Sequence, residues 1–428
     1  MKEEVLHYLW KTKRLPFHQF VLTDGRKLEV IHTGTHNMES GPDFSNAKIK
    51  IDDLIWSGNI EIHVKASEWY THKHQIDKAY DNVILHIVYY DDKAVEVQNE
   101  KIPTLELSKY ISWSELNSIQ KFVASKKKVA CSQEINNIDS VFVAKQIESA
   151  LHQRLKRKAT LIQERYIELE CDLKQVMIER IAQIIGGKTN GLPMIELSKQ
   201  LKYSSLLREN EVDRTMILFF LSGLLPNNLD EKHLKVAQHY ANKYQLTTMN
   251  SSAWKYFGLY AYSYPSFRIL QFSHIIAQDM FFQFLSVDIS LWLDWWMDWQ
   301  FQLPEFWQKH TSFSHKELKH TKSFSKQLKE LVIINVVVPF LFWQGVYNHQ
   351  FDKIEIAFEL LGKLPAEQNN IIAYWKNLKI NVKSAFESQG LLELINEFCS
   401  NKKCLSCNIG TKVLQYEIPI NTSCESND

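Results

Sequence analysis

The sequence predicts an α+β chain, with a mixed α/β sheet domain over residues 1–125 followed by a large all-α domain over residues 135–428. Three observations predict this. Up to about residue 110 the chain breaks into short apolar or alternating runs separated by Asp24-Gly25, Gly41-Pro42 and Asp52-Asp53, which are turn signals. From about residue 135 apolar residues recur at helical spacing, over 141–167, 173–185, 211–225 and 234–244. The basic triplet Lys126–Lys128 lies between the two textures and reads as a linker.

Taken in order, Lys2–Lys13 reads as a short amphipathic helix. Gln19–Leu22 and Leu28–Thr33 read as strands joined at Asp24-Gly25. After the loop THNMESGPDF come a strand at Ala47–Ile51, a turn at Asp52-Asp53 and a second strand at Leu54–Ala66. A helix is expected over Thr71–Asn82. Val83–Tyr90 is almost continuously apolar, as a strand covered on both faces should be. Short strands are expected near Val95 and Thr104, and the hairpin and the buried strand share one mixed layer.

Lys plus Arg number 50 and Asp plus Glu 49, so no global field draws in nucleic acid and any such binding needs a local patch. The opening MKEEVLHYLW lacks an apolar stretch with a cleavage site. The longest apolar run, Leu331–Trp343, falls short of about 20 residues and reads as a buried helix kinked at Pro339, not a span. A cytoplasmic protein with no membrane partner, no small-molecule cofactor and no disulfide framework is the expectation.

The chemistry concentrates in the first hairpin. Side chains alternate along a strand, so Glu61, His63 and Lys65 share one face while Ile60, Ile62 and Val64 fill the other. Three ionisable groups in a row mark either an exposed face or a site. The turn returns Asp43 beside this strand. Strict pairing sets Asp43 opposite Ile62, on the wrong face, so a one-residue bulge near Gly58 or Pro42 is required. With that bulge, Asp43 and Glu61 could share a Mg²⁺ or Mn²⁺ ion. His63 or Lys65 would then activate water or offset developing charge. His72, His74 and Asp77 follow, with His86 inside the buried strand. Together with His63 they offer an imidazole-rich zinc or manganese site, or else a hydrogen-bonded core histidine beside surface ones.

A carboxylate entering a hairpin, an acid and a base two residues apart on the next strand, then a helix and a buried strand: this pattern resembles the PD-(D/E)XK nuclease superfamily. Pro42-Asp43 would be its PD pair and Glu61 its second acid. His63 stands where most members have Lys. In that respect, and in Trp69, His72 and His74, the chain is similar to the very-short-patch mismatch endonucleases. The resemblance covers about residues 1–107. It implies a restriction-endonuclease-like domain, DNA as partner, catalytic roles for Asp43, Glu61, His63 and Lys65, and accessory roles for His72 and His74. Over nearly its full length, in GPDF, SGNIEIH, YDNVILHIV and CLSCNIG, the chain also resembles a bacterial family of unknown function.

Cys399, Cys404 and Cys407 form C-x4-C-x2-C, the spacing of the first three ligands of a plant-type iron–sulfur site. Zinc is the alternative occupant, and Cys131, Cys424 or a histidine would complete the set. Arg154, Lys156, Arg157 and Lys158 form a basic helix face, which is either solvated or phosphate-binding. Arg268 reads as a buried ion-pair partner. Trp292, Trp295, Trp296 and Trp299 fall at i, i+3, i+4, i+7, a core stripe. Three functions remain in play: a Mg²⁺-dependent nuclease acting on DNA, a zinc-type hydrolase built on the histidines, and a non-catalytic nucleic-acid-binding or scaffold protein.

Overall fold

The computed structural model describes residues 3–17, 19–37, 40–97, 100–200, 203–225, 231–313 and 323–417. The chain divides into two compact units. One comprises residues 1–150, 368–381 and 390–428; the other comprises residues 151–367 and 382–389. Lys126–Lys128 fall within the first of these units, and so does the cysteine-bearing C-terminal segment.

The first unit opens with α1 (Glu3–Lys11), which buries Val5, Leu6, Tyr8, Leu9 and Trp10. Glu3 and Glu4 sit in its first turn, where the helix dipole favours negative charge. The strands are β1 (Phe20–Val21), β2 (Lys27–His32), β3 (Thr35–His36), β4 (Phe44–Ile51) and β5 (Leu54–Lys65). They are followed by α2 (Glu68–Thr71), β6 (Val83–Tyr90), β7 (Glu96–Val97), β8 (Glu100–Lys101) and β9 (Thr104–Glu106). The main sheet runs β1-β2-β4-β5-β6-β9, with β3 beside β4. Strands β1 to β5 pair antiparallel, whereas β5–β6 and β6–β9 are parallel. The mixed sheet and β6, buried from Val83 to Tyr89, match the sequence reading.

One sheet face meets α1. Ile49, Ile60, Ile62, Leu85, Ile87 and Leu105 pack there with Leu6, Leu9 and Trp10. Val88 on the other face is covered by Trp69, Tyr80, Val95 and Ile102.

The helix expected over Thr71–Asn82 does not form. In its place are the single turn α2 and two 3₁₀ turns, His74–Ile76 and Lys78–Tyr80. Lys73 takes a left-handed φ of 63° between them. Asp77 accepts from the Ala79 amide, a local bond that competes with helix propagation.

In the second unit the long helices close over one large core. The tryptophan stripe behaves as core. Trp292 and Trp296 are fully buried, and the indole of Trp296 donates to the Lys329 carbonyl at 3.2 Å. Trp295 and Trp299 pack at its margin. The apolar run is buried over Val332–Val338 apart from Asn335, and it continues through Pro339 to Trp343. A π-helical turn at Ile333–Val337 immediately precedes the proline. By length and composition, Lys326–Tyr347 is apolar enough to cross a membrane, and 67% of its most apolar window is buried inside the protein. Two members of the basic face are engaged within this unit: Arg154 donates to Gln389 Oε1 and Lys158 to Asn335 Oδ1. Arg268 is held by Gln271 Oε1 and Ser263 Oγ, which are neutral acceptors in place of the carboxylate expected.

Candidate metal centre

The bulge that the hairpin requires is present, at a different place. Phe44 pairs with Ile60 but Ala47 pairs with Gly58, so β4 carries one extra residue between them. Asn46, at φ 55°, takes the left-handed conformation there. Asn tolerates that region better than most side chains because its amide can bond locally. Gly58 serves the other neighbour. A Cβ on it would lie 2.5 Å from Ile84 Cγ2 and 2.7 Å from the Asn82 carbonyl, so only glycine lets the β6 end approach.

The bulge sets Asp43 beside Glu61, and the two acids lock reciprocally. The Asp43 amide donates to Glu61 Oε2 at 3.0 Å, and the Ile62 amide donates to Asp43 Oδ2 at 2.9 Å. His7, one helical turn after Glu3 on α1, brings Nε2 to 3.2 Å from Asp43 Oδ2. Glu3 and His7 were missed by the sequence reading. Their i, i+4 spacing was a signal, but nothing local tells which strand end the helix will meet.

Glu61 faces the acids on one side and imidazoles on the other. Its Oε1 lies 3.3 Å from His74 Nε2 and 3.7 Å from His63 Nε2. His63 Nε2 lies 3.1 Å from His72 Nδ1, and its Nδ1 lies 2.8 Å from His86 Nε2. One ligand atom from each of His63, His72 and His74 lies within 4.8 Å of the others. His63 is buried, His74 half-buried and His72 exposed, so the cluster opens to solvent on the His72 side. Trp69 lies edge-on to His63, His74 and His86, and Tyr80 stacks on His74 at 3.8 Å. These rings leave the imidazoles little rotational freedom.

Lys65 lies outside this cluster. It shares the strand face but is exposed at the strand end. Its amide bonds Glu68 Oε2 at 2.8 Å and its positive charge falls on Asp92. Asp77 is used in its own turn.

Burial, reinforced by the neighbouring imidazoles of His86, His72 and His74, holds His63 down to about 2. Burial and the nearby His74 hold His86 at about 3. Both are therefore neutral at neutral pH, with a lone pair free. If His63 Nδ1–H donates to His86 Nε2, the lone pair sits on His63 Nε2, facing His72 and Glu61. That hydrogen bond makes His86 a positioning residue. Burial pulls His7 down, but its bond to Asp43 and the charges of Asp43, Glu3 and Glu61 outweigh this and raise it. Glu61 is pushed up by burial and by Asp43.

Glu3 is pushed up to about 7, first by burial and then by Glu68, Asp43 and Glu61. A carboxyl raised in the folded state favours folding below its unfolded value, and that contribution is lost as pH rises through the folded value. Glu3→Gln is therefore expected to be more stable than the parent at pH 8, by about 1 kcal/mol after discounting for partial exposure. The gain should fade as pH falls from about 7 toward 4.5. Thermal melts of the metal-free protein across that range check it.

The fold and cluster define a two-unit α+β protein with a histidine–carboxylate centre on a mixed sheet. The chain belongs to the family described as "Protein of unknown function (DUF2851)", whose model matches residues 3–370. No curated protein matches it. No solved structure matches it either.

Proposed function

We propose that this protein is a metal-dependent hydrolase of DNA phosphodiester bonds, with the ion held by His63, His72, His74 and Glu61. One observation carries the proposal: the spacing of these donor atoms. Ligand bonds of 2.0–2.2 Å in a tetrahedron put neighbouring donors about 3.3–3.6 Å apart. One ligand atom from each of His63, His72 and His74 lies within 4.8 Å of the others; three of the six pairs among the four donors are 3.1 Å for His63–His72, 3.3 Å for His74–Glu61 and 3.7 Å for His63–Glu61. Neutral imidazoles with one carboxylate suit zinc or manganese.

The bound ion would polarise a phosphoryl oxygen and acidify a water. The chain supplies the rest. His7, raised and bonded to Asp43, holds a proton beside the cluster that can go to a departing oxygen. Asp43 fixes the Ile62 amide and orients His7, so its role is chiefly to position. The phosphodiester substrate is supported by the order of elements: a helix, antiparallel strands, a short helical turn and a parallel strand, with Pro42-Asp43 and Glu61 at the hairpin. That is the order the endonuclease resemblance implies, except that short turns stand in place of its helix before β6.

A second reading keeps the reaction but moves the ion. Burial first, then the charges of Glu68, Asp43 and Glu61, lift Glu3 to about 7, and a Mg²⁺ ion among Glu3, Asp43 and Glu61 would relieve the repulsion part of that shift. Cleavage of double-stranded DNA by the full chain with Zn²⁺, Mn²⁺ or Mg²⁺, beside Glu61→Gln, tests both. Equal cleavage by parent and variant under every ion would leave the non-catalytic reading.

A further inference from the structure

We propose that Cys131, Cys399, Cys404 and Cys407 together bind an iron–sulfur cluster that ties the C-terminal segment to the sheet-bearing unit. This proposal is independent of the hydrolase reading. The spacing C-x4-C-x2-C supplies three thiols, and the fold supplies the fourth. Cys131 and the 399–407 segment lie in the same compact unit. Lys402, between the second segment's first two cysteines, donates from Nζ to the Ser125 carbonyl at 2.6 Å and to that of Lys127 at 3.3 Å. The Asn408 amide donates to Gln146 Oε1 at 2.7 Å. The two cysteine-bearing stretches are thus clasped on both sides of the thiols.

All four cysteines are free, Cys131 and Cys407 buried and Cys399 and Cys404 half-buried. Cys131 lies within electrostatic reach of Cys407, Cys399 and Cys404. Isolated buried thiols would be inert, and two buried and two half-buried thiols on adjoining segments need a reason. Burial pushes the Cys407 thiol up, and the amides of Gly410 and Ile409, in the first turn of the helix Asn408–Glu417, bond to its sulfur and oppose that. Such N–H···S bonds stabilise thiolate and are a lever by which proteins tune iron–sulfur sites. Gly410 is required for this turn, because a Cβ there would collide with the Cys404 carbonyl.

The spacing C-x4-C-x2-C also bears on what is bound, because it is that of the first three ligands of a plant-type iron–sulfur site. Cys171 is exposed and outside the set. Cys424 lies outside the described residues. The placement gives the cluster a structural role. The turn Cys404–Ser406 packs against α1, Leu414 joins the core beneath it, and Tyr8 Oη donates to the Thr411 carbonyl at 3.4 Å. Helix α1 in turn carries Glu3 and His7.

The test is iron and acid-labile sulfide analysis of the full chain purified without oxygen. Parent and Cys171→Ser should both contain iron and sulfide with broad visible absorption. Cys404→Ser, at a half-buried position with conservative size, should lose at least about nine-tenths of both while keeping its far-ultraviolet circular dichroism. A separate variant, Cys407→Ser, should lose both as well. One zinc per chain without sulfide would overturn the proposal. So would a parent chain that stays metal-free after anaerobic reconstitution with ferrous iron and sulfide, or equal iron in the parent and both cluster variants.

Discussion

Glu61→Gln is expected to lower metal-dependent DNA cleavage by about 100-fold to 1,000-fold while leaving the fold intact. The carboxylate has two tasks. Oε2 accepts from the Asp43 amide at 3.0 Å, and Oε1 faces His74 and His63 at 3.3 and 3.7 Å. An amide has one oxygen and can perform only one of them. The oxygen will go to Asp43, because a backbone donor left unpaired at a half-buried site costs about 1–3 kcal/mol. The NH₂ then points at the imidazoles, where it cannot ligate an ion. Burial and shape are unchanged, so thermal stability should move little. Glu29→Gln, at an exposed position on β2, is the control and should retain parental activity. Equal loss in both variants would remove Glu61 from the reaction.

The second large effect is on binding. His72→Ala combined with His74→Ala is expected to weaken zinc or manganese binding by more than about 100-fold, beyond the 10–100-fold typical of a partner hydrogen-bonded to a ligand. Both residues stand on the solvent side, His72 exposed and His74 half-buried, so the sheet should survive their truncation. His63 is less suitable for this experiment because it is buried between His86 and His72. Calorimetric titration of the metal-free protein reads the affinity. If Asp43→Asn abolishes Mg²⁺ binding while the histidine double variant binds zinc like the parent, the ion sits among the acids instead.

Much of this centre was legible before the fold was known. Alternation alone placed Glu61 and His63 together, and hairpin arithmetic demanded a bulge to bring in Asp43. The position of that bulge was not legible. Gly58 was the obvious candidate, but it is used to admit β6, while Asn46 takes the left-handed residue. The histidines of the following segment were visible as a cluster but were assigned to a helix. The left-handed Lys73 breaks that helix and turns His74 back to Glu61. Helix α1 was predicted, yet its contribution of Glu3 and His7 depends on a tertiary contact with no local signature. Lys65 shows the converse limit, since periodicity assigns a face but not where along the strand the site ends. The core roles of the tryptophans and of β6 were readable because long apolar patterns average over such details.

Anomalous diffraction from crystals soaked in zinc or manganese tests the central claim most directly. The account predicts one strong peak bounded by His63 Nε2, His72 Nδ1, His74 Nε2 and Glu61 Oε1, at about 2.0–2.2 Å from each. A peak at Asp43 and Glu3 with the imidazoles unliganded, or an empty cluster with His63 and His72 still hydrogen-bonded at about the 3.1 Å seen here, would contradict it.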